Sequence, residues 1–525
     1  MTAPNLPSRE SEEGKAGFPQ WPWEGRTSIY TFLRGRLAGQ RVAEDVDVLP
    51  DEPADAGERP RFGAGVMDGI ATHHMGTGNE AVKVDALYAQ VAAFCGSPTA
   101  ENKKSVYETV LTGRVVGLLD PLLKRMGRSE DARRVYELGH FLAVEAADRE
   151  PVKLGIALLG VFAQPADREV FFTLGSHDEF SLFAAVALSR FPTAEADMWQ
   201  LARSVHGWGR VHTVERLAKT QNEAIKAWLL REGFRNKVMN EYLAMICARG
   251  GELAKALADS KIDEALFEGA GEILEALING GPAPGIESYE EAPTAVGNYL
   301  AHAERMASTI HHHSALAKVK RYLRGMENPA GPWTVAVRDA ELSKAERILG
   351  RPEWRRIVEQ GLVSNDDREF FLAARAAEGF GIDTWDYHWR RLLAHPLAHA
   401  QWHHLAEQCD ASRMDALLEV AHEYLPLGKL ATGPTNAIGL GPGFEVHRCV
   451  DFLLTALRRF PGRGAEYALA ALRSPGVRNR NMAAAVLKEW GRSKWPPGTE
   501  EALLAAIEAE PKDDVRGELE RLIGG

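Results

Sequence analysis

The sequence WQLARSVHGWGRVHTVERLAKTQNEAIKAWLL, residues 199–230, contains one full period of an apolar repeat of 29 residues. The repeat extends over about residues 133–249. Three columns of apolar residues recur at this spacing: Val170, Trp199 and Trp228; Phe172, Leu201 and Leu230; Leu188, Leu217 and Ile246. Each period has room for two helices. Because a helical hairpin buries its apolar face only against the next hairpin, the spacing predicts an all-α fold, a HEAT-like α-solenoid of stacked helical hairpins.

The remainder of the chain is also predicted to be helical, with apolar residues at three- and four-residue spacing near 80–94, 100–126 and 294–324. The last of these segments is predicted to be one long amphipathic helix. Glycine- and proline-rich breaks divide the chain into five predicted parts. They are an irregular, partly disordered N-terminal extension (1–60), a Gly-rich loop with entry helices (61–130), a HEAT-like repeat arm (131–280), a linker with the long helix (281–342) and a second repeat arm (343–525).

Local signals predict helix ends inside the first repeat arm. The segment Thr220-Gln-Asn-Glu223 has the spacing of a capping box, which predicts that a helix begins there. Gly233 is predicted to end that helix in the left-handed conformation. An apolar stripe from Phe234 to Cys247 predicts the partner helix.

The composition limits where the protein works and what it binds. The 525 residues carry a formal charge of -11, which argues against general binding to nucleic acid or anionic membranes. The 4 cysteines show no CxxC spacing, which argues against a disulfide framework or a structural zinc site. The N-terminus lacks the features of a signal peptide, and no run approaches the roughly 18 apolar residues of a membrane helix. We therefore expect a cytoplasmic protein without a membrane span.

Two glycine-rich segments are candidates for ligand binding. RFGAGVMDGIATHHMG, residues 61–76, places His73 and His74 beside glycines that would let backbone approach a ligand; the alternative is a tight turn that enters the first helix. ATGPTNAIGLGPG, residues 431–443, includes Asn436 and precedes a helix whose first amides could hold an anion. A simple connecting loop is the alternative for this second segment.

The histidine-rich segment WDYHWRRLLAHPLAHAQWHHLAEQ, residues 385–408, provides a candidate metal site. His399, His403 and Glu407 lie on one helical stripe, but eight residues of helix rise about 12 Å, so His399 and Glu407 cannot ligate the same ion. His399 and His403 are the possible pair, and they need further ligands from another helix. The alternative is that these histidines pack at an interface beside the nearby tryptophans.

The sequence contains no recognisable catalytic motif. Two Glu-x-x-His matches, Glu137/His140 and Glu419/His422, are about as many as chance produces in this composition. The sequence shows no GxSxG motif, no haem-thiolate context, no dinucleotide fingerprint and no recognisable iron triad. The cofactor is therefore left open, as is the question whether the protein is an enzyme.

A local basic face is predicted near the C-terminus. Nine Lys and Arg side chains lie between Arg458 and Trp495, against two glutamates. Such a face could contact nucleic-acid phosphates, and the alternative is a solvated surface paired with acidic residues elsewhere. The candidate contacts are Arg458, Arg459, Arg463, Arg478 and Arg480.

Two resemblances add to these predictions. VHGWGRVHTVERL, residues 205–217, resembles HEAT-like repeats. The chain is also similar to an uncharacterised bacterial family whose members are often labelled limonene hydroxylase. The similarity lies in the order of four segments: the glycine-rich segment 61–76, the segment 205–217, NEYLAMICA (240–248) and the glycine-rich segment 431–443. That resemblance implies a monoterpene oxygenase.

Three functions follow in order of preference. The first is a scaffold that binds a protein partner along the surface of stacked hairpins. The second is a limonene hydroxylase-like monooxygenase, which would bind a small molecule or metal near His73/His74 or His399/His403. The third is nucleic-acid binding through the basic face.

Overall fold

The computed structural model describes residues 21–39, 41–42, 48–52, 62–75, 81–111, 113–126, 131–329 and 331–524. Residues 1–20, 40, 43–47 and 53–60 of the predicted N-terminal extension, 1–60, lie outside these ranges. The described residues form two compact units. Unit 1 contains those up to Tyr299 together with 328–337, and unit 2 contains 300–327 and 338–524. The main division thus falls within the predicted 281–342 segment.

Unit 1 is built from helices joined by short connections, which confirms the prediction of an all-α chain for this part. Leu37–Ala38 (β1) and Arg41–Val42 (β2) form a small antiparallel hairpin. The helices are α1 (Ile29–Arg34), α2 (Val66–Ile70), α3 (Ala81–Gly96), α4 (Ala100–Leu111), α5 (Val116–Met126), α6 (Ala132–Glu145), α7 (Arg149–Val161), α8 (Arg168–Gly175), α9 (Ser181–Leu188), α10 (Ala194–Ser204), α11 (Trp208–Glu215), α12 (Glu223–Trp228), α13 (Glu241–Gly250), α14 (Leu253–Ala256) and α15 (Glu264–Asn279).

Unit 2 is also helical. Two helices begin in unit 1 and end in unit 2, namely α16 (Ala292–Met306) and α18 (Val335–Leu349). The others are α17 (Ile310–Gly325), α19 (Glu353–Gly361), α20 (Asp367–Ala377), α21 (Trp385–Ala394), α22 (His399–Gln408), α23 (Ala411–Tyr424), α24 (Leu427–Leu430), α25 (Glu445–Leu457), α26 (Ala465–Ala471), α27 (Val477–Trp490), α28 (Thr499–Ala509) and α29 (Asp513–Gly524). Among the described helices, none combines the length and the apolar character needed to cross a bilayer.

Helices that follow each other in sequence pack against each other in unit 1. α7 packs on α6 and α9, α9 packs on α8, α10 and α11, and α13 packs on α11 and α15. The repeating apolar columns supply much of this contact, since Leu201, Leu217 and Leu230 are almost completely buried. Trp199 and Ile246 are half-buried. The sequence pattern therefore identified side chains whose burial stabilises unit 1.

The core of unit 2 is formed largely by helices α21 to α29. One cluster of buried apolar residues extends from Trp385 to Leu519, and a smaller one surrounds Phe370. Buried indoles in the larger cluster keep a hydrogen-bond partner, because Trp402 Nε1 donates to the Pro396 carbonyl and Trp490 Nε1 donates to the Leu457 carbonyl. These bonds allow the large indole rings to be buried without leaving an N–H donor unsatisfied.

The predicted single helix over 294–324 is wrong, because residues 307–309 separate α16 from α17. Thr309 caps α17, and its Oγ1 accepts a hydrogen bond from the His312 amide. The His312 side chain accepts in turn from the Ser308 amide at Nδ1, 3.2 Å away. This local hydrogen bonding begins a new helix where the apolar spacing predicted continuity. The predicted helix over 100–126 is likewise divided into α4 and α5.

A helix begins at Glu223 and its last helical turn ends at Gly233, as predicted, but the predicted caps at both ends are wrong. Asn222, rather than Thr220, caps α12, and its side chain accepts from the Ala224 amide. Gly233 is not left-handed and belongs to a π-helical turn, Leu229–Gly233. The partner helix α13 begins only at Glu241, because the Asn236 side chain binds the Val238 and Met239 amides and stabilises a turn before it.

Candidate metal centre

The glycine-rich segment after Phe62 lies against the first turn of α11. The predicted tight turn is wrong here, since α2 continues into a π-helical turn, Ala71–Met75, that carries His73 and His74. A Cβ atom at Gly69 would lie 2.2 Å from the Trp208 ring, so only glycine permits this contact. Gly65 has a φ of 71°, and a Cβ atom there would lie 2.7 Å from the Asp178 carbonyl oxygen. Both glycines therefore bring the histidine-bearing segment onto α11.

Asp178 fixes the start of α11. Its Oδ1 atom accepts hydrogen bonds from the Gly209 amide at 2.7 Å and the Gly207 amide at 3.2 Å. These bonds satisfy amides that have no partner inside the helix. From this start, His212 and Glu215 are three residues apart and lie on one face of α11.

His73, His212 and Glu215 come together at the junction of the π-helical turn and α11. The Nε2 atom of His73 is 3.6 Å from Glu215 Oε1, and His212 Nδ1 is 3.9 Å from Glu215 Oε2. The two imidazole rings are 5.5 Å apart at an interplanar angle of 26°. One ligand atom from each residue lies within 4.8 Å of the other two, and no other group of His, Cys, Asp and Glu in the described ranges meets this condition.

The pKa shifts of His73 and Glu215 suit metal coordination. Burial lowers the pKa of His73, which favours the neutral imidazole that ligates metals. Burial alone would raise the pKa of Glu215, but the neighbouring imidazoles of His212 and His73 outweigh it and lower the pKa. His212 is only 3% exposed, and its Nε2 atom has no hydrogen-bond partner among the described residues. A buried nitrogen without a partner is costly unless a ligand occupies it.

The spacing of these groups is close to that of metal ligands. Nitrogen and oxygen atoms about 2.0–2.1 Å from a tetrahedral zinc ion lie roughly 3.3 Å from one another. The distances of 3.6 and 3.9 Å between ligand atoms need only small side-chain rotations to reach that value. Two histidines and one carboxylate also leave coordination positions open, as in catalytic zinc and non-haem iron sites. The arrangement can therefore hold a divalent transition metal and present it to a further ligand.

Aromatic side chains surround this group. The Trp208 and Tyr242 rings lie 5.2 and 5.7 Å from the His73 ring. His74 is not one of the three grouped residues, and its Nε2 atom is 2.6 Å from the Tyr242 hydroxyl in a hydrogen bond. The two adjacent histidines predicted to form a ligand loop thus take different roles, with His73 beside Glu215 and His74 on Tyr242.

The predicted metal pair His399 and His403 lies on α22, and neither histidine belongs to the group of three described above. The His403 ring packs 4.9 Å from Phe452, and its Nε2 atom is 3.7 Å from Glu407. The His399 ring lies 6.3 Å from the same phenylalanine. Both histidines therefore pack on Phe452, which corresponds to the alternative of interfacial packing.

Asn436 is exposed at the edge of a surface cavity of about 740 Å³. The glycine-rich loop forms one side of the cavity, and the beginnings of α27 and α29 form the others. Hydrogen bonds fix this loop, since Val477 donates its amide to the Ala437 carbonyl and Thr435 Oγ1 donates to the Pro475 carbonyl. Asn436 thus remains a candidate for contact with a small molecule.

The predicted basic face is largely paired within unit 2. Arg458, Arg463 and Arg478 form ion pairs with Glu489, Asp415 and Asp451. Arg459 donates to the Ala406 and Glu407 carbonyls. Arg480 is not on the surface at all, since its side chain is fully buried against Glu510. Its inclusion among the nucleic-acid contacts is therefore wrong.

Sequence reasoning missed His212 and Glu215. The available signal was their His-x-x-Glu spacing, whereas the search covered only the reverse order, Glu-x-x-His. Those matches do not form a site: Glu137 pairs with Arg133 and Arg134, and His422 pairs with Glu466. No spacing along the chain relates His73 to residues almost 140 positions later.

Comparison with family models, with curated proteins and with solved structures finds no match to this chain. The chemistry of the centre is therefore inferred from His73, His212, Glu215 and their surroundings.

Proposed function

We propose that this chain binds a divalent transition metal through His73, His212 and Glu215 and acts as a metal-dependent enzyme. The observation that carries the proposal is the meeting of two imidazoles and one carboxylate within 4.8 Å of one another. The burial of His212, whose Nδ1 atom faces Glu215, keeps one imidazole of the group away from solvent. Three protein ligands leave open positions at which a substrate or water can bind.

Iron(II) and zinc(II) are the two metals that this ligand set favours. Two histidines and one carboxylate form the ligand triad of many non-haem iron oxygenases, and the same residue types hold zinc in metallopeptidases. The resemblance to chains labelled limonene hydroxylase favours iron and an apolar substrate. The aromatic rings of Trp208 and Tyr242 beside His73 provide apolar surface for such a molecule.

Metal analysis of protein purified without a tag tests the proposal. We expect near-stoichiometric iron or zinc, or saturable binding of Fe(II), Co(II) or Zn(II) to protein first stripped with a chelator. Substitution of a residue that supports a metal ligand typically lowers metal affinity about 10–100-fold. His212→Ala and Glu215→Gln remove ligands themselves and should lower the metal affinity by more than that.

His403→Ala is the matched control, because it removes the histidine of the sequence-predicted site on α22 and should leave binding unchanged. Loss of metal in His403→Ala but not in His212→Ala would move the centre to α22. Absence of saturable binding by the wild-type chain would end the proposal.

A second function, a HEAT-like solenoid scaffold for a protein partner, is supported by contacts between positions one repeat apart. Trp199 meets Trp228, and Asp178 accepts from the Gly207 amide. Such stacking is typical of helical-repeat proteins, whose long surfaces bind other proteins. A partner that binds wild type and His212→Ala equally would indicate a scaffold role separate from the metal. A partner lost with the metal would argue against that role.

The cytoplasm is our proposed location, because Cys247, Cys409 and Cys449 are buried free thiols, as expected in a reducing compartment. Nucleic-acid binding is disfavoured, since Arg458, Arg463 and Arg478 of the basic face form ion pairs with carboxylates of unit 2.

A further inference from the structure

The most completely buried ammonium group of unit 1 lies beneath the histidine-bearing segment. Lys153, on α7, is 2% exposed. Its Nζ atom is 2.7 Å from Asp68, 2.8 Å from Glu150 and 2.6 Å from Glu179. One buried cation thus joins three carboxylates that come from different parts of the chain.

Two of these carboxylates fix the start of the segment that carries His73. Asp68 lies on α2, five residues before His73, and Lys153 is its one ion-pair partner among the described residues. Glu179 binds the segment at a second point, because its Oε2 atom accepts the Gly65 amide at 2.8 Å. Burial would raise the pKa of Glu179, but the charge of Lys153 outweighs it and lowers the pKa to about 2. Glu179 is therefore ionised, and its carboxylate binds both the Lys153 ammonium and the Gly65 amide.

The third carboxylate, Glu150, ties the cluster to another part of unit 1. Its Oε1 atom pairs with Lys153, and its Oε2 atom accepts the Val115 amide at 2.8 Å. A second cation, Arg149, stands 4.0 Å from Glu179 but is mainly engaged by Asp51 and Glu52. Without Lys153, Asp68, Glu150 and Glu179 would face one another in a buried site with too little positive charge.

We infer that Lys153 is a positioning residue of the metal centre, which sets metal affinity by holding Asp68 and Glu179 and hence the segment that delivers His73. The inference rests on the proposed function, and Lys153 itself does not touch the metal. Loss of the ammonium forces Asp68 toward water and displaces α2, so that His73 no longer lies beside Glu215.

The test compares Lys153→Met with Lys226→Met. Lys226 is the matched control, because it is also a buried lysine of unit 1 between two carboxylates, Glu223 and Glu252. Co(II) affinity is measured by competition with a chelator on the folded protein. We expect a loss of about 10–100-fold for Lys153→Met, as for other outer-shell residues, and a change within about twofold for Lys226→Met.

Asp68→Asn provides a second variant should Lys153→Met fail to fold, since it keeps the side-chain shape and removes one carboxylate from the cluster. It should weaken Co(II) binding in the same direction and increase amide hydrogen exchange within residues 62–75. Wild-type affinity in both Asp68→Asn and folded Lys153→Met overturns the inference while the proposed function stands. If the wild-type chain binds no metal, the proposed function fails, and so does the expected effect of Lys153 on metal affinity. Hydrogen exchange within residues 62–75 then shows separately whether Lys153 positions that segment.

Discussion

The indole rings of Trp199 and Trp228 meet edge to face with their centroids 6.5 Å apart, although 29 residues separate them in sequence. Each ring also has an arginine over its face, Arg203 on Trp199 and Arg210 on Trp228. Positions one sequence period apart therefore touch directly. Each ring depends on the other for part of its burial.

Trp228→Ala should lower the free energy of unfolding by about 3–5 kcal/mol, because it removes a large buried ring. Urea unfolding of the full chain measures this effect. In a double-mutant cycle with Trp199→Ala, the coupling energy should be about 0.5–1.5 kcal/mol, as found for other aromatic pairs. Strict additivity of the two substitutions would contradict a direct contact between the two rings.

Gly69→Ala should destabilise the proposed metal centre. The added Cβ would lie 2.2 Å from the Trp208 ring, so either that ring or α2 has to move. We expect weaker Co(II) binding and a stability loss of about 1–3 kcal/mol, typical of overpacking. Gly63→Ala is the control, since its Cβ would meet only Val66, at 3.6 Å. Equal effects of the two substitutions would show that the approach of α2 to Trp208 is not tight.

Arg480→Met should destabilise unit 2 strongly. The guanidinium group forms a two-point ion pair with Glu510 at 2.7 and 2.8 Å, and both side chains are almost completely buried. Removing one partner of a buried pair costs about 3–5 kcal/mol, because the other charge is left uncompensated. Urea unfolding of Arg480→Met/Glu510→Met should show that much of this loss is recovered.

Arg458→Met provides the comparison, since its ion pair with Glu489 is exposed and should contribute less than about 1 kcal/mol. A cost for Arg480→Met no larger than for Arg458→Met would mean that Arg480 is a surface residue after all.

Acid should destabilise unit 2 through His312. Burial lowers the pKa of this histidine to about 4, well below the value of 6.5 expected in the unfolded chain. Between these values the unfolded state binds the extra proton, so stability falls as the pH drops from about 6.5 toward 4. Protonation also places a hydrogen on Nδ1, which breaks the hydrogen bond from the Ser308 amide.

Thermal unfolding at pH 7 and pH 5 measures the effect. His312→Gln should reduce the difference in Tm between the two pH values, while His311→Gln should change it much less, because burial contributes more to the lowered pKa of His312 than the charge of His311 does. Some dependence should persist, because burial also lowers the pKa values of His313 and His388 to about 4. An unchanged difference in His312→Gln would exclude this histidine as a source of acid sensitivity.

The sequence alone determined the helical class and the side chains that stack in unit 1. The spacing of apolar residues along the chain is visible in the sequence itself. Leu201, Leu217 and Leu230 could therefore be assigned to the interior without any coordinates. Helix ends were harder to predict. The division between α16 and α17 depends on hydrogen bonds of Thr309 and His312, which the apolar spacing does not record.

The tertiary structure alone decided which side chains form the proposed metal centre. The sequence singled out His73, but His212 and Glu215 become its neighbours only because Gly65 and Gly69 let α2 pack on α11 and because Lys153 holds Asp68 and Glu179 beneath it. The same packing placed Arg480 in the core instead of on a basic face. Apolar burial is encoded in periodic local patterns, whereas a ligand set requires distant side chains to converge, and only the folded chain brings them together.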